Sequence, residues 1–530
     1  MANLGDPQLV GDKAVEERAD YSVGTAFDSP LRDFRQWFGG PGVNVGPRIS
    51  SVVVTSVADS DNESSAAILD KQLALEANAA IQYRTCSWQK TAALLFSEYI
   101  CLAIMSFPWS YSVLGLVPGL ILTVLVALVV LYTSLILWEF CLRHPEVRDV
   151  CDIGQMLFWG KKWAWYATAV MFLLNNTFIQ GLHVLVGAKY LNTMTATDDT
   201  VRCRTVSYGI IIAIVCWLSS LPRTFNMLSK LGTASAAFTF VSVLLAAVFA
   251  GVQKLPAGYD PRPSYTTPAG VVKVGGDPIV TAFPVASTTT FVMGLSAFLN
   301  ISYTFIGQIT LPSFIAEMKD PRDFPKALWA CTIAEIFVFS IVGSVVYAYT
   351  GNQYMTAPAF GQLNDVYKKV AFSFMIPTIV FLGVLYASVS ARFIFFRIFE
   401  NSRHKNEHTV VGWASWAGIL GATWLLAFII AEVIPFFSDL LSLMSSLFDS
   451  FFGFIFWGVA YFRMRSVDGK VTLVKDRSLT GYALFGLNVF IILVGVFFLT
   501  VGTYATVQSI IDSFHSGTVG TVFTCASNGL

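Results

Sequence analysis

The chain has 530 residues, 55% of them apolar and 13% charged, with no net formal charge. Water-soluble domains carry about a quarter charged residues, so this composition excludes one, and a zero total gives no argument for a nucleic-acid or acidic partner. The chain reads as an all-α integral membrane protein whose first partner is the lipid bilayer.

Residues 1–90 are polar and rich in Ser, Asp and Gly, with no short apolar stretch before a small-residue cleavage site, which excludes a secretory signal. They are expected to form a cytosolic, largely disordered tail. Apolar windows long enough to span about 30 Å of hydrocarbon then recur at 91–113, 117–141, 163–189, 206–222, 230–252, 287–317, 326–350, 370–399, 412–432, 435–462 and 481–507. They predict about eleven transmembrane helices. Pro222, Pro321 and Pro435 stand at window boundaries, where proline ends or opens a helix at little cost. Between spans 2 and 3 the run "DVCDIGQMLFW" is amphipathic and is expected along the membrane surface. Residues 253–286 form an exterior Gly, Pro and Thr-rich loop, 466–480 a cytosolic one, and 508–530 an exterior tail. With the N-terminus inside, Lys and Arg beyond the tail divide roughly 18 cytosolic to 8 exterior, as the positive-inside rule expects. An odd span count leaves the C-terminus outside. The eight cysteines include no C-x-x-C pair; Cys203 and Cys525 both fall in exterior segments and are the candidates for a bridge.

Two spans carry an internal echo. Ala103-Ile-Met-Ser-Phe-Pro108 in span 1 and Gly307-Gln-Ile-Thr-Leu-Pro312 in span 6 both read small, x, x, hydroxyl, bulky apolar, proline. Their offset of about 204 residues equals five spans and reverses the direction across the membrane, the trace of an inverted-topology repeat. Spans 1–5 (91–252) and 6–10 (287–465) are then the halves, with helices 1 and 6 broken. Unpaired backbone in hydrocarbon costs several kcal/mol, so irregular backbone there marks a cavity or a ligand. Pro108 and Pro312 free carbonyls near Ala103, Ile104, Gly307 and Gln308, which suit a cation or ammonium. The half-helices opening near Ser106 and Thr310 offer N–H groups that suit a carboxylate. The pair describes a zwitterion site whose ammonium would meet the carbonyls near Ala103, Ile104 and Phe305, with Met105 and Thr304 among its lining and Phe107, Trp109 and Tyr303 as apolar walls.

"LGLVPGLILTVLVALVVLYTS", "SLPRTFNMLSKLG", "EMKDPRDFPKAL" and "AEVIPFFSDLLSLMSSLF", in that order and spacing, resemble the amino acid/auxin permease family, most closely its fungal neutral amino acid permeases. The resemblance implies a LeuT-like 5+5 inverted repeat and secondary active uptake of neutral amino acids across the plasma membrane, driven by protons in the fungal members. It implies no cofactor and no enzymatic activity. Ala103 stands where the family usually has glycine, and Gln308 where it has histidine.

Intramembrane ionisable groups are functional candidates because even gentle scales charge about 2.5–3.5 kcal/mol for them at mid-bilayer. Glu98, His183, Glu335, Arg392 and Asp449 qualify. Glu98 is a proton-coupling candidate or a structural partner of Arg392 or Lys230; Glu335 and Asp449 are functional candidates of unassigned role or polar glue between helices. His183 shares a face with Asn176 and Gln180 on the wall of a solvated cavity, and is a proton-coupling candidate or a hydrogen-bonded spacer. Ser388 and Ser390 would hold sodium if the coupling ion were sodium, or cap their own helix. "HKNEH", His404 to His408, matches an H-x-x-E-H zinc-peptidase pattern, but in a short basic loop that lacks the required helix. No phosphate-binding glycine motif accompanies it. The expected function is proton-coupled neutral amino acid import, with sodium coupling and a non-transporting amino acid sensor as the alternatives.

Overall fold

The structure is a computed structural model that describes residues 34–40, 43, 45–49, 84, 86–145, 147, 149–196, 203–223, 225–266, 272–285, 287, 289–400, 402–405, 407–468, 479–515, 521–525 and 527–529. Among the described residues eight helices are long and apolar enough to cross a membrane, and a bent pair, Trp88–Tyr99 with Leu102–Leu114, makes a ninth. The shorter apolar helices Arg204–Ser220 and Phe291–Phe305 fall where spans 4 and 6 are predicted. Span 2 is Leu116–Arg143, span 3 Lys162–Met194, span 5 Phe225–Gln253, span 7 Phe324–Thr350, span 8 Ile376–Ile398 and span 9 Val410–Val433. Span 10 runs Phe437–Val467, and span 11 continues to His515, beyond the end its window suggested. Strand structure among the described residues is one antiparallel hairpin in the loop before span 6, pairing Tyr265 with Lys273 and Thr266 with Val272.

The two halves answer each other in their packing. Span 1 lies against spans 5 and 7, and span 6 lies against spans 10 and 2, which are the reciprocal positions. Spans 3, 8 and 9 pack on one another beside them. This is the five-plus-five arrangement with helices 1 and 6 broken that the paired hexamers imply.

Two segments differ from expectation. The run after span 2 forms a helix, Val150–Leu157, capped by the Asp149 carboxylate on the Cys151 and Asp152 amides. Every residue of it but Asp152 is buried, and Gly154 lies so close to Thr168 that a Cβ would meet its hydroxyl at 2.2 Å. It is packed into the bundle because its polar face carries only one charge to leave in water.

The N-terminal tail, expected to be disordered, docks in part. The Gly40 amide donates to the Arg322 carbonyl at 3.0 Å, Trp329 Nε1 donates to the Trp37 carbonyl at 3.1 Å, and the Ile49 amide donates to His144 Nε2 at 3.1 Å. Trp37 and Phe38 supply aromatic area against Tyr132 and Trp329 that the polar average of the tail conceals.

Candidate functional site

Span 1 begins at Ser87, whose hydroxyl accepts from the Lys90 amide, and its first helix stops at Tyr99. Cys101 is extended, a tight 3-10 turn covers Leu102–Ser106, and a second helix restarts at Phe107, bent by 47° from the first. Pro108 lies in the first turn of that second helix, where a missing N–H leaves nothing unpaired. In span 6 the helix ends at Phe305, Ile306 is extended, and Leu311–Glu317 restarts with Pro312 in its first turn. Both breaks exist, with irregular backbone at Ile100–Cys101 in one and Ile306–Thr310 in the other.

Several of the carbonyls expected to be free are already bonded. Ala103 O accepts from Ser106 Oγ at 2.7 Å and Ile104 O from the Phe107 amide, and beside them Met105 O accepts from the Ala359 amide at 2.9 Å. Gly307 O takes both the Thr310 amide, at 3.1 Å, and its hydroxyl, at 2.9 Å. Ala103, Ile104, Met105, Ser106 and Phe107 are wholly buried. Phe107 closes against Phe305 and Phe339 with ring centroids 6.2 and 5.1 Å away, so these residues form a buried apolar wall beside the breaks.

At the breaks lies a cavity of about 50 Å³. Span 1 contributes Glu98, Tyr99 and Cys101; the span 6 break contributes Tyr303, Thr304, Ile306, Gly307 and Ile309; spans 3, 8 and 10 add Asn175, Ile179, Tyr386, Asp449 and Phe452. Glu98 Oε1 accepts from the Tyr386 hydroxyl at 3.0 Å while Oε2 is buried without a partner. Asp449 sits in a π-helical stretch, Ser445–Ile455, and its Oδ2 is likewise buried and unpartnered. Wide π turns inside α-helices recur at functional sites because they re-aim side chains.

The matching family model is described as "Transmembrane amino acid transporter protein" and covers residues 84–508. The chain belongs to this transporter family. It is 31% identical over 459 residues to the "N amino acid transport system protein" of Neurospora crassa, covering 87% of this chain and 92% of that one. A "Transmembrane transporter" of Gibberella moniliformis is 30% identical over 452 residues, covering 84% and 89%. Among solved structures, MhsT in complex with L-phenylalanine aligns with TM-score 0.47 at 11% identity over 81% of this chain and 99% of that one. The inward-facing conformation of Mhp1 gives 0.49 at 12%, over 82% and 94%.

The remaining candidates of the transporter lie apart from the cavity. Gln308 donates from Nε2 to Thr133 Oγ1 of span 2 at 3.0 Å, with Oε1 unpartnered. His183 is buried against Gly383 of span 8, and its Nδ1 is unpartnered. Ser390 Oγ accepts from Asn176 Nδ2 at 3.1 Å, tying spans 3 and 8, while the buried Ser388 hydroxyl has no partner. Glu335 accepts from Cys331 Sγ at 3.3 Å within its own helix. Arg392 donates to the Arg223 carbonyl at 3.3 Å, and the Lys230 side chain lies outside the described residues. His404 Nδ1 pairs with Thr409 Oγ1 at 2.7 Å and His408 stacks on Trp413, so the two histidines of "HKNEH" face different neighbours. Cys203 and Cys525 are joined in a disulfide.

Tyr99, Cys101, Asn175, Ile179, Ile306, Ile309, Tyr386 and Phe452 line the cavity without having been candidates. For Tyr99 a signal existed, since the offset that aligns Ala103 with Gly307 aligns Tyr99 with Tyr303.

Proposed function

We propose that this transporter imports neutral amino acids across the plasma membrane by proton symport. The single observation that carries the reading is the cavity shared by both helix breaks, with a carboxylate, Glu98, at the broken end of span 1. Backbone that deviates from helix at membrane depth is stable where it lines a cavity for a ligand. The substrate carboxylate would reach the N–H groups opening the second half-helices near Ser106 and Thr310, and its ammonium the acceptors of the same breaks. Spans 1, 2, 6 and 7 would rock against the rest, opening the wall of Ala103–Phe107 and Phe305. Neutral specificity is supported by the apolar walls of Tyr303, Ile306 and Ile309, and an amino acid substrate by the relative's printed name.

Glu98 is the proposed proton carrier, because a buried carboxylate is stable in lipid only when neutralised. The Cys203–Cys525 disulfide supports an exterior C-terminus, since such bonds persist in oxidising compartments. The unpartnered Ser388 hydroxyl favours a second reading in which sodium takes the coupling role.

Purified protein in vesicles, given labelled alanine, leucine or phenylalanine with an imposed proton or sodium gradient, tests this. Uptake is expected to rise with an inward proton gradient and to ignore sodium. Glu98→Gln is expected to abolish the response to the gradient while exchange of internal for external amino acid persists. Uptake indifferent to protons would reject the symport.

A further inference from the structure

The charge around the cavity is one-sided. Its charged lining residues are Glu98 and Asp449, and Lys, Arg and His contribute nothing to the lining. A cation must therefore come from solution, and the acceptors open to it can be told apart. The carbonyls of Ala103, Ile104, Met105 and Gly307 already accept hydrogen bonds within the chain. Glu98 takes the Tyr386 hydroxyl on one oxygen. Asp449 is 5% exposed, lines the cavity, and holds Oδ2 without a donor. The Ser445 hydroxyl, one turn back on the same stretch, acts on this carboxyl group. Four residues on, Gly453 lets Ile306 approach until a Cβ would stand 2.8 Å from Ile306 Cδ1, so the π-helical stretch is pressed against the span 6 break.

We propose that Asp449 is the ammonium-binding carboxylate of the site, selecting substrates that carry an α-amino group. The inference deepens the reading of the same cavity and rests on its ligand being an amino acid. It moves the ammonium from the backbone carbonyls to a side chain on span 10 and leaves Glu98 free to exchange a proton. A buried ion pair with good geometry stabilises binding, and removing one partner leaves the other charge buried and unpaired.

The test compares each amino acid with its 2-hydroxy acid: alanine with lactate, leucine with 2-hydroxyisocaproate, phenylalanine with phenyllactate. Binding to the purified full-length protein is read by ligand-induced thermal stabilisation and by equilibrium binding of the labelled compounds. Asp449→Asn, which keeps the shape of the protonated acid, is expected to weaken the amino acids roughly 30-fold or more while the hydroxy acids change less than about threefold. Asp449→Glu is expected to retain most of the preference. Equal loss for both classes, or none, overturns the proposal. A side-chain cation would also overturn it, by lysine binding better than norleucine in the parent and losing that margin in Asp449→Asn. Should the variant not fold, a density map of the parent with phenylalanine bound decides: an ammonium within hydrogen-bond distance of Asp449 supports the proposal, and one bonded elsewhere ends it. Binding without uptake in vesicles would reject transport while leaving the Asp449 result standing.

Discussion

Gly307 shows how little room the site has. A Cβ there would lie 2.3 Å from Tyr99 Cε1 and 2.7 Å from the Tyr99 hydroxyl, inside any tolerated contact. Tyr99 and Gly307 both line the cavity, so Gly307→Ala is expected to drive the ring into it. Overpacking of this kind costs about 1–3 kcal/mol. Uptake is expected to fall at least about tenfold, with a lower melting temperature, and the double variant with Tyr99→Leu to recover part of both; a double variant no better than the single one would deny the clash. Tyr386→Phe removes the hydroxyl that donates to Glu98 Oε1 at 3.0 Å. A buried acceptor left open costs about 1–3 kcal/mol, so thermal unfolding in detergent should shift downward, and an unshifted transition would show that the bond contributes nothing. The legibility of these residues follows their physics. Glu98 and Asp449 are visible in sequence because a carboxylate inside an apolar window is costly wherever it points. Tyr386 is not visible, because its role depends on a neighbour 288 positions away in the chain.

At the scale of elements, the prolines mark the breaks but not their position. Pro108 and Pro312 both fall in first turns, where proline fits, so the irregular backbone precedes them: Ile100–Cys101 ends the first helix a turn earlier than the Ala103–Pro108 hexamer suggests. The π-helical stretch of span 10 has no equivalent sequence marker, since its residues fit an α-helix as well. The docked tail was hidden for a compositional reason: Trp37 and Phe38 are few among many polar residues, and what they cover is the "EMKDPRDFPKAL" loop and its following helix. That loop also takes the Trp138 indole N–H on the Pro321 carbonyl at 2.8 Å, so it gathers span 2 and the tail at one point. Gly39 permits the contact, with φ at +70° and space for a Cβ closed by the Arg322 carbonyl at 2.4 Å. Gly39→Ala is therefore expected to undock residues 34–49. Limited proteolysis should cut there roughly ten times faster than in the parent, as the loss of about 1–2 kcal/mol of local stability implies. Unchanged cleavage would show that the segment is held elsewhere.

Across the whole molecule, the reciprocal packing of spans 1 and 6 on opposite partners leaves the halves joined mainly by apolar contact. One charged joint stands out. Arg143, at the end of span 2, donates from Nη1 to Asp468 Oδ1 at 2.8 Å and from Nη2 to Oδ2 at 3.0 Å, and it also pairs with Glu139. Both side chains of the Arg143–Asp468 pair are fully buried, and Asp468 follows the last turn of span 10. The Pro47 carbonyl accepts from Arg143 Nη1 at 3.3 Å, so the docked tail meets the same guanidinium. If span 2 rocks with spans 1, 6 and 7, this joint must open in each cycle, because span 10 belongs to the other body. Asp468→Asn is expected to destabilise the protein by about 3–5 kcal/mol, since it takes a paired carboxylate away from a buried guanidinium. Arg143→Gln with Asp468→Asn should be less destabilised than the sum of the single changes by at least about 1.5 kcal/mol, the coupling of two groups in contact. Thermal unfolding of the four proteins of this cycle measures that difference. Amino acid exchange in vesicles measures the second consequence: the double variant, freed of a bond that must break in every turnover, is expected to exchange faster than the parent. A coupling near zero would mean that the pair does not hold the halves together, and slower exchange would mean that the joint steers the motion instead of resisting it.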